Sequence, residues 1–149
     1  MNKKELSGKI NDLLIFREED GSYFLFGKYR IIPDNLGNFH LSIVGDQAFT
    51  HSFMSLKNAV TWCVFDKNNK LKDIRRIVEL DHMLSGIDVS IAQHKKLAEK
   101  TSCNENKEIY LAKLYEDKLK KRTWTEEINS YIRISKHWQS KKFEENQVR

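Results

Sequence analysis

The chain has 149 residues, 32% of them charged, and a formal net charge of +5 from 26 basic and 21 acidic side chains. Eight Phe, five Tyr and three Trp exclude an intrinsically disordered chain, which lacks the apolar area to offset the entropy of ordering. There is no apolar run of about 18 residues, and the polar start Met1-Asn2-Lys3-Lys4-Glu5 lacks an apolar signal core, so the expectation is a cytoplasmic protein that neither spans a membrane nor is conventionally secreted. The basic excess is spread thin. Residues 1–80 hold 12 basic against 10 acidic side chains and residues 81–149 hold 14 against 11, whereas a duplex-DNA binder shows a stripe of one sign.

Leu6, Ile10, Leu13, Leu14 and Ile15 space out like one face of a helix, so residues 2–17 are predicted as a short amphipathic helix ended by Arg17-Glu18-Glu19-Asp20-Gly21. From Ser22 the composition turns β-branched and aromatic. Strands are predicted over Tyr23 to Ile32, Asn38 to Val44 and Gln47 to Met54, parted by Pro33-Asp34-Asn35-Leu36-Gly37 and by a two-residue loop Gly45-Asp46. Ser55 is a candidate N-cap for a helix whose Leu56, Ala59, Val60 and Cys63 form a stripe flanked by Trp62 and Phe65.

Because alternate strand residues point to opposite faces, these turns sort the meander. Leu25, Tyr29, Ile31, Phe39, Leu41, Ile43, Ala48 and Thr50 are predicted to face the core. The other face would gather Phe24, Phe26, Lys28, Arg30, His40, Phe49, His51 and Phe53. Aromatic rings among cations are what a single-stranded nucleic acid needs for stacking and phosphate contact. A second buried layer, covered by the helix at residues 2–17, explains the same phenylalanines and is the more common outcome.

Residues 70–142 read as two long helices folded back on each other. Ile77, Leu80, Leu84, Ile87, Ile91, His94 and Ala98 step alternately by three and four, the repeat of a coiled-coil seam. The pattern stops at Thr101-Ser102-Cys103-Asn104, where Ser102 and Glu105 have the form of a capping box for the second helix. Antiparallel folding then brings Ile128 and Ile132 back onto the seam, near Val78 and Ile74, and sets a polar layer around Asp88 and Lys118. Trp124, Tyr131 and Trp138, seven residues apart, form an aromatic edge on the second helix, a candidate interface for the head or for another chain.

Catalytic signatures are missing: no GxGxxG, phosphate loop, GxSxG or HExxH occurs. Cys63 and Cys103 stand singly and are expected as free thiols. His40 and His51 would lie opposite each other across the hairpin, but no third ligand accompanies them, so neither metal nor cofactor is expected.

In outline, the meander followed by Phe53-Met54-Ser55-Leu56-Lys57-Asn58-Ala59 resembles the three-stranded DNA-binding domains of the integrase arm-binding type. The whole chain, and especially that phrase extended to Val60, with Leu80-Asp81 and Asn129-Ser130-Tyr131-Ile132, also resembles uncharacterised proteins carried by tailed phages of marine bacteria. The latter resemblance implies virion assembly or accessory DNA metabolism and carries over no catalytic residue. The expected protein is therefore α+β, with a β-β-β-α head over residues 1–69 and a coiled-coil-like helical hairpin over residues 70–149. Its expected role is non-enzymatic and structural, exercised through homo-oligomerisation or a protein partner; the alternative is an accessory nucleic-acid-binding protein.

Overall fold

The structure, a computed structural model, describes the backbone of residues 5–10 and 13–147 and the side chains of residues 17–46 and 50–138. It is α+β. The strands β1 (Glu5–Ile10), β2 (Leu13–Arg17), β3 (Tyr23–Leu25), β4 (Tyr29–Pro33), β5 (Phe39–Ile43) and β6 (Asp46–Phe53) pair with their chain neighbours in one six-stranded antiparallel meander. Three helices follow: α1 (Leu56–Lys67), α2 (Leu71–Lys100) and α3 (Asn104–Gln147).

The centre of the molecule is α1. Every residue from Asn58 to Phe65 is buried, the condition of a helix covered on all sides. One side packs on Leu25, Tyr29, Ile31, Leu41 and Phe53 of the sheet, and the other on Ile77 of α2 and on Tyr131 and Trp138 of α3. Ser55 caps the helix as expected, its hydroxyl accepting from the Asn58 N–H at 3.1 Å. At the far end Asn69 takes a left-handed conformation (φ 58°), while the Lys70 N–H donates to Phe65 O and the Asn69 N–H to Asp66 O. That pair of bonds is a Schellman stop, which turns the chain directly into α2.

Two strand expectations are corrected. Residues 2–17 were expected as a helix, yet β1 and β2 form a hairpin whose Phe16 pairs with Phe24 and Arg17 with Tyr23. A lone short helix is marginal in water, whereas β2 adds to the sheet by pairing with β3, so tertiary context overrides a weak period. The strand expected over Tyr23 to Ile32 is broken in two. Phe26 (φ 55°) and Gly27 (φ 67°) are the central residues of a turn closed by the Lys28 N–H to Leu25 O bond, within a three-residue loop between the paired Leu25 and Tyr29, and both have the positive φ of a type I′ turn.

The helical hairpin is antiparallel, as ion pairs Arg76–Glu127 and Lys121–Asp88 require. Ile77, Leu80, Leu84, Ile87 and Ile128 are buried, and Ile91 packs beside them. The expected capping box is not where α3 starts: the first helical bond runs from the Lys107 N–H to Cys103 O, and the Cys103 N–H donates to Thr101 Oγ1 at 3.3 Å. In mid-α2, Gly86 is exposed and an added Cβ meets nothing within 4 Å. Gly86→Ala is expected to raise stability by about 0.5–1 kcal/mol, because alanine loses less backbone entropy in a helix. Urea unfolding at unchanged slope reads it; a lowered midpoint would contradict the open surroundings.

Candidate interaction site

The sheet face expected to collect aromatics and bases is dispersed by register. Ile43 pairs with Asp46, making Val44-Gly45 the loop, with Gly45 at φ 91°. The next pair is Ser42 with Thr50, so residues 47–49 bulge out and the rest of β6 slips by one relative to a plain hairpin on Gly45-Asp46. A one-residue slip moves every side chain to the opposite face. His51 pairs with Leu41 and Phe53 with Phe39, on the core face, whereas Thr50 and Ser52 take the outer face.

With the turn at Phe26-Gly27, which takes Phe26 and Lys28 out of the strands, this slip parts the expected members. Phe53 is buried among core residues, and His51 lies 5.9 Å from the Trp62 ring. Phe26 packs on the core at the edge of Tyr29, with Lys67 Nζ 3.9 Å from its ring centroid. Lys28 sits in the turn, 3.8 Å from Asp66, the carboxylate that also accepts from the buried Tyr29 hydroxyl. Burial, then that hydrogen bond, pushes the Tyr29 phenol far above its ordinary value. The side chain of Phe49 lies outside the described residues. Only Phe24, Arg30 and His40 share the outer face. Arg30 is committed to the buried Glu18 at 3.2 Å, and His40 bonds Ser52 and Asp34 at 2.8 and 2.7 Å. His40 and His51 thus point to opposite faces and do not form the expected facing pair.

His51 instead helps line an open cleft of about 370 Å³ with Trp62, Ile74, Arg75, Val78 and Glu79. This is the small end of the range for ligand sites. Among the described residues, no three His, Cys, Asp or Glu side chains meet in an arrangement that could hold a metal ion. Cys63 is buried, which pushes its thiol well up, and Cys103 is exposed in the hairpin turn.

The aromatic edge of α3 meets the head and the seam. Tyr131 and Trp138 clasp Phe65 of α1, with ring centroids 5.4 and 4.7 Å away, and Trp124 packs against the α2–α3 cluster of Leu80, Leu84, Ile87 and Ile128. Leu114, Asp117, Lys121, Trp124, Ile128, Tyr131, Ser135 and Trp138 step by three and four, so the three aromatics are every second rung of the seam itself. The polar rungs Asp117, Lys121 and Ser135 hid this continuity. Ile132, expected on the seam, is half-buried beside it.

The polar layer exists, centred on Asp117 rather than Lys118. The Asp117 carboxylate accepts from Ser90 Oγ at 2.8 Å and lies 2.6 Å from His94 Nδ1. Burial would raise this carboxyl, but the bonds from Ser90 and His94 and the charges of His94 and Lys120 outweigh it and hold the group below its ordinary value. A depressed carboxyl contributes stability that is present above the unfolded-state value and is lost as pH falls through the folded-state one. Asp117→Leu alone is expected to destabilise by about 1–3 kcal/mol, since Ser90 and His94 lose their partner. The double variant His94→Leu/Asp117→Leu should recover that loss or exceed it, because an apolar pair avoids the desolvation cost of charge. Thermal melts decide this; a double variant weaker than the single would refute it.

Toward the turn the hairpin no longer touches the head's core cluster: the second cluster is built from α2 and α3 alone. From Leu84 to Lys100 it extends by about 25 Å at 1.5 Å per residue. Val89, Leu97, Ile109, Leu111, Tyr115 and Leu119 are exposed there. No helix among the described residues is long and apolar enough to cross a membrane. No family model matches the chain, and no curated protein or solved structure matches it either.

Proposed function

We propose that this is a non-enzymatic assembly protein whose head anchors the base of an antiparallel coiled coil and presents its outer half for association. The observation that carries the reading is the contrast along the hairpin. Its base packs on Phe65 through Tyr131 and Trp138, while among the described residues its outer half packs on itself and exposes large apolar side chains. Isolated surface apolar residues need no explanation, but several on one projecting element suit an interface. A part of this kind fits virion assembly, in the host cytoplasm or the particle, where the phage resemblance would place it.

The nucleic-acid alternative has less support: Phe53 and Phe26 lie against the core, and Lys28 and Arg30 each pair with a carboxylate. Light scattering and a labelled single strand test both readings. The assembly reading expects a mass above the 17.6 kDa of one chain that rises with concentration, and feeble strand binding indifferent to Lys28→Ala or Arg30→Ala. A monomer at every concentration that binds the strand tightly, with a salt slope flattened by those changes, overturns it.

A further inference from the structure

We infer that the partner is a second copy of this chain, docked antiparallel along the outer stripe of α3; this rests on the assembly reading and deepens it. The stripe is Glu108, Leu111, Tyr115, Leu119 and Arg122, with spacings of three, four, four and three. Those spacings are the same read in either direction from Tyr115. Leu111, Tyr115 and Leu119 are 46%, 70% and 52% exposed, which is high for large apolar side chains, and none of them belongs to the two buried clusters.

A two-fold axis through Tyr115, perpendicular to the helix, therefore makes the stripe complementary to itself. Residues equally far from the axis meet across an isologous interface. Tyr115 meets Tyr115, Leu111 meets Leu119, and Glu108 meets Arg122 at about 10 Å either side of the axis, since seven residues rise by that much. Ala112, on the stripe's flank, meets Lys118 of the other copy and leaves room for its stem. The charges run the right way for an antiparallel pair and the wrong way for a parallel one, where Glu108 would meet Glu108 and Arg122 would meet Arg122. Arg122 is available: its one described ion pair, with Glu126 at 3.4 Å, leaves its side chain 79% exposed. One helix face is a small interface, so the dimer should form in the micromolar range.

Sedimentation equilibrium on the full chain tests this. Wild type should approach twice the 17.6 kDa chain mass by about 100 μM, a concentration well above a micromolar dissociation constant. Tyr115→Asp should stay monomeric with an unchanged circular dichroism spectrum and melt. Arg122→Glu alone and Glu108→Arg alone should each weaken the dimer about tenfold or more by facing like charges. The double reversal Glu108→Arg/Arg122→Glu should restore it, a rescue that loss of folding cannot mimic. In a Cys103→Ser background, Tyr115→Cys should form an intermolecular disulfide on oxidation, because the axis sets that position against itself. Association that persists in Tyr115→Asp, or single reversals without effect, overturns the stripe while leaving the assembly reading intact. A wild type that is monomeric throughout overturns both the stripe and self-assembly.

Discussion

Phe65→Ala is expected to cost about 3–5 kcal/mol of folding stability, the range for deleting a fully buried aromatic ring. Phe65 is 1% exposed and is held between Tyr131 and Trp138 of α3. Its loss opens a void at the junction of head and hairpin that α1, packed on its other side by the sheet, cannot close by moving. Trp138→Ala should cost less, about 1–3 kcal/mol, because that indole is only half-buried. The two changes should couple by about 0.5–1.5 kcal/mol in a double-mutant cycle, the worth of an aromatic pair beyond its area. Urea unfolding of the four proteins reads all three quantities. Additive losses would mean that the hairpin base is held by something other than this clasp.

Asp81→Ala is expected to cost about 2–4 kcal/mol, from two donors left without an acceptor. Asp81 is buried on α2 and accepts from the Met54 N–H at 3.0 Å and from Asn58 Nδ2 at 2.8 Å. It thereby ties the β6–α1 corner to the hairpin. Burial raises its carboxyl above the ordinary value, against the lowering effect of the Asn58 and Met54 bonds. The pH dependence follows from that direction. A carboxyl raised on folding binds its proton more tightly in the folded chain, so its favourable contribution is complete below the unfolded-state value of about 4. That contribution is lost as pH rises through the raised folded-state value. Asp81→Asn, which cannot ionise, should therefore gain on wild type as pH rises across this window, while Asp117 and Glu127, both held low, weaken both proteins alike on the acid side and drop out of the difference. Melting temperatures of the two proteins between pH 3 and 7 measure the effect. A constant difference would show that Asp81 keeps the same proton affinity folded and unfolded.

Helices were the legible part of this chain. The three-four alternation from Ile77 to Ala98 needs only the 3.6-residue period and an apolar stripe, and α2 follows it. Ser55 as N-cap was readable for a similar reason: the groups involved bond within a few residues of themselves. Strands were less legible because their partners lie elsewhere. Phe26-Gly27 carries no strong turn signal, since phenylalanine at positive φ is disfavoured, yet the Tyr29 and Lys67 contacts hold it there. Nothing local to β6 announces a bulge at residues 47–49, and that bulge alone decides whether Phe53 faces water or the core.

The chain's own periodicities determined that it is α+β, that a long helical hairpin follows a meander and one helix, and that the first hairpin helix has a continuous apolar seam. Local physics suffices there, because backbone bonding and side-chain direction repeat with the chain. Only the tertiary structure decided what the aromatics are for. Trp124, Tyr131 and Trp138 are equally consistent in sequence with an intermolecular face and with an internal seam, and the fold brings Phe65, a residue of a different helix, within 4.7 Å of Trp138. The same packing leaves Leu111, Tyr115 and Leu119 bare, since two helices can bury only one stripe of each other and the head reaches no further than the hairpin's base.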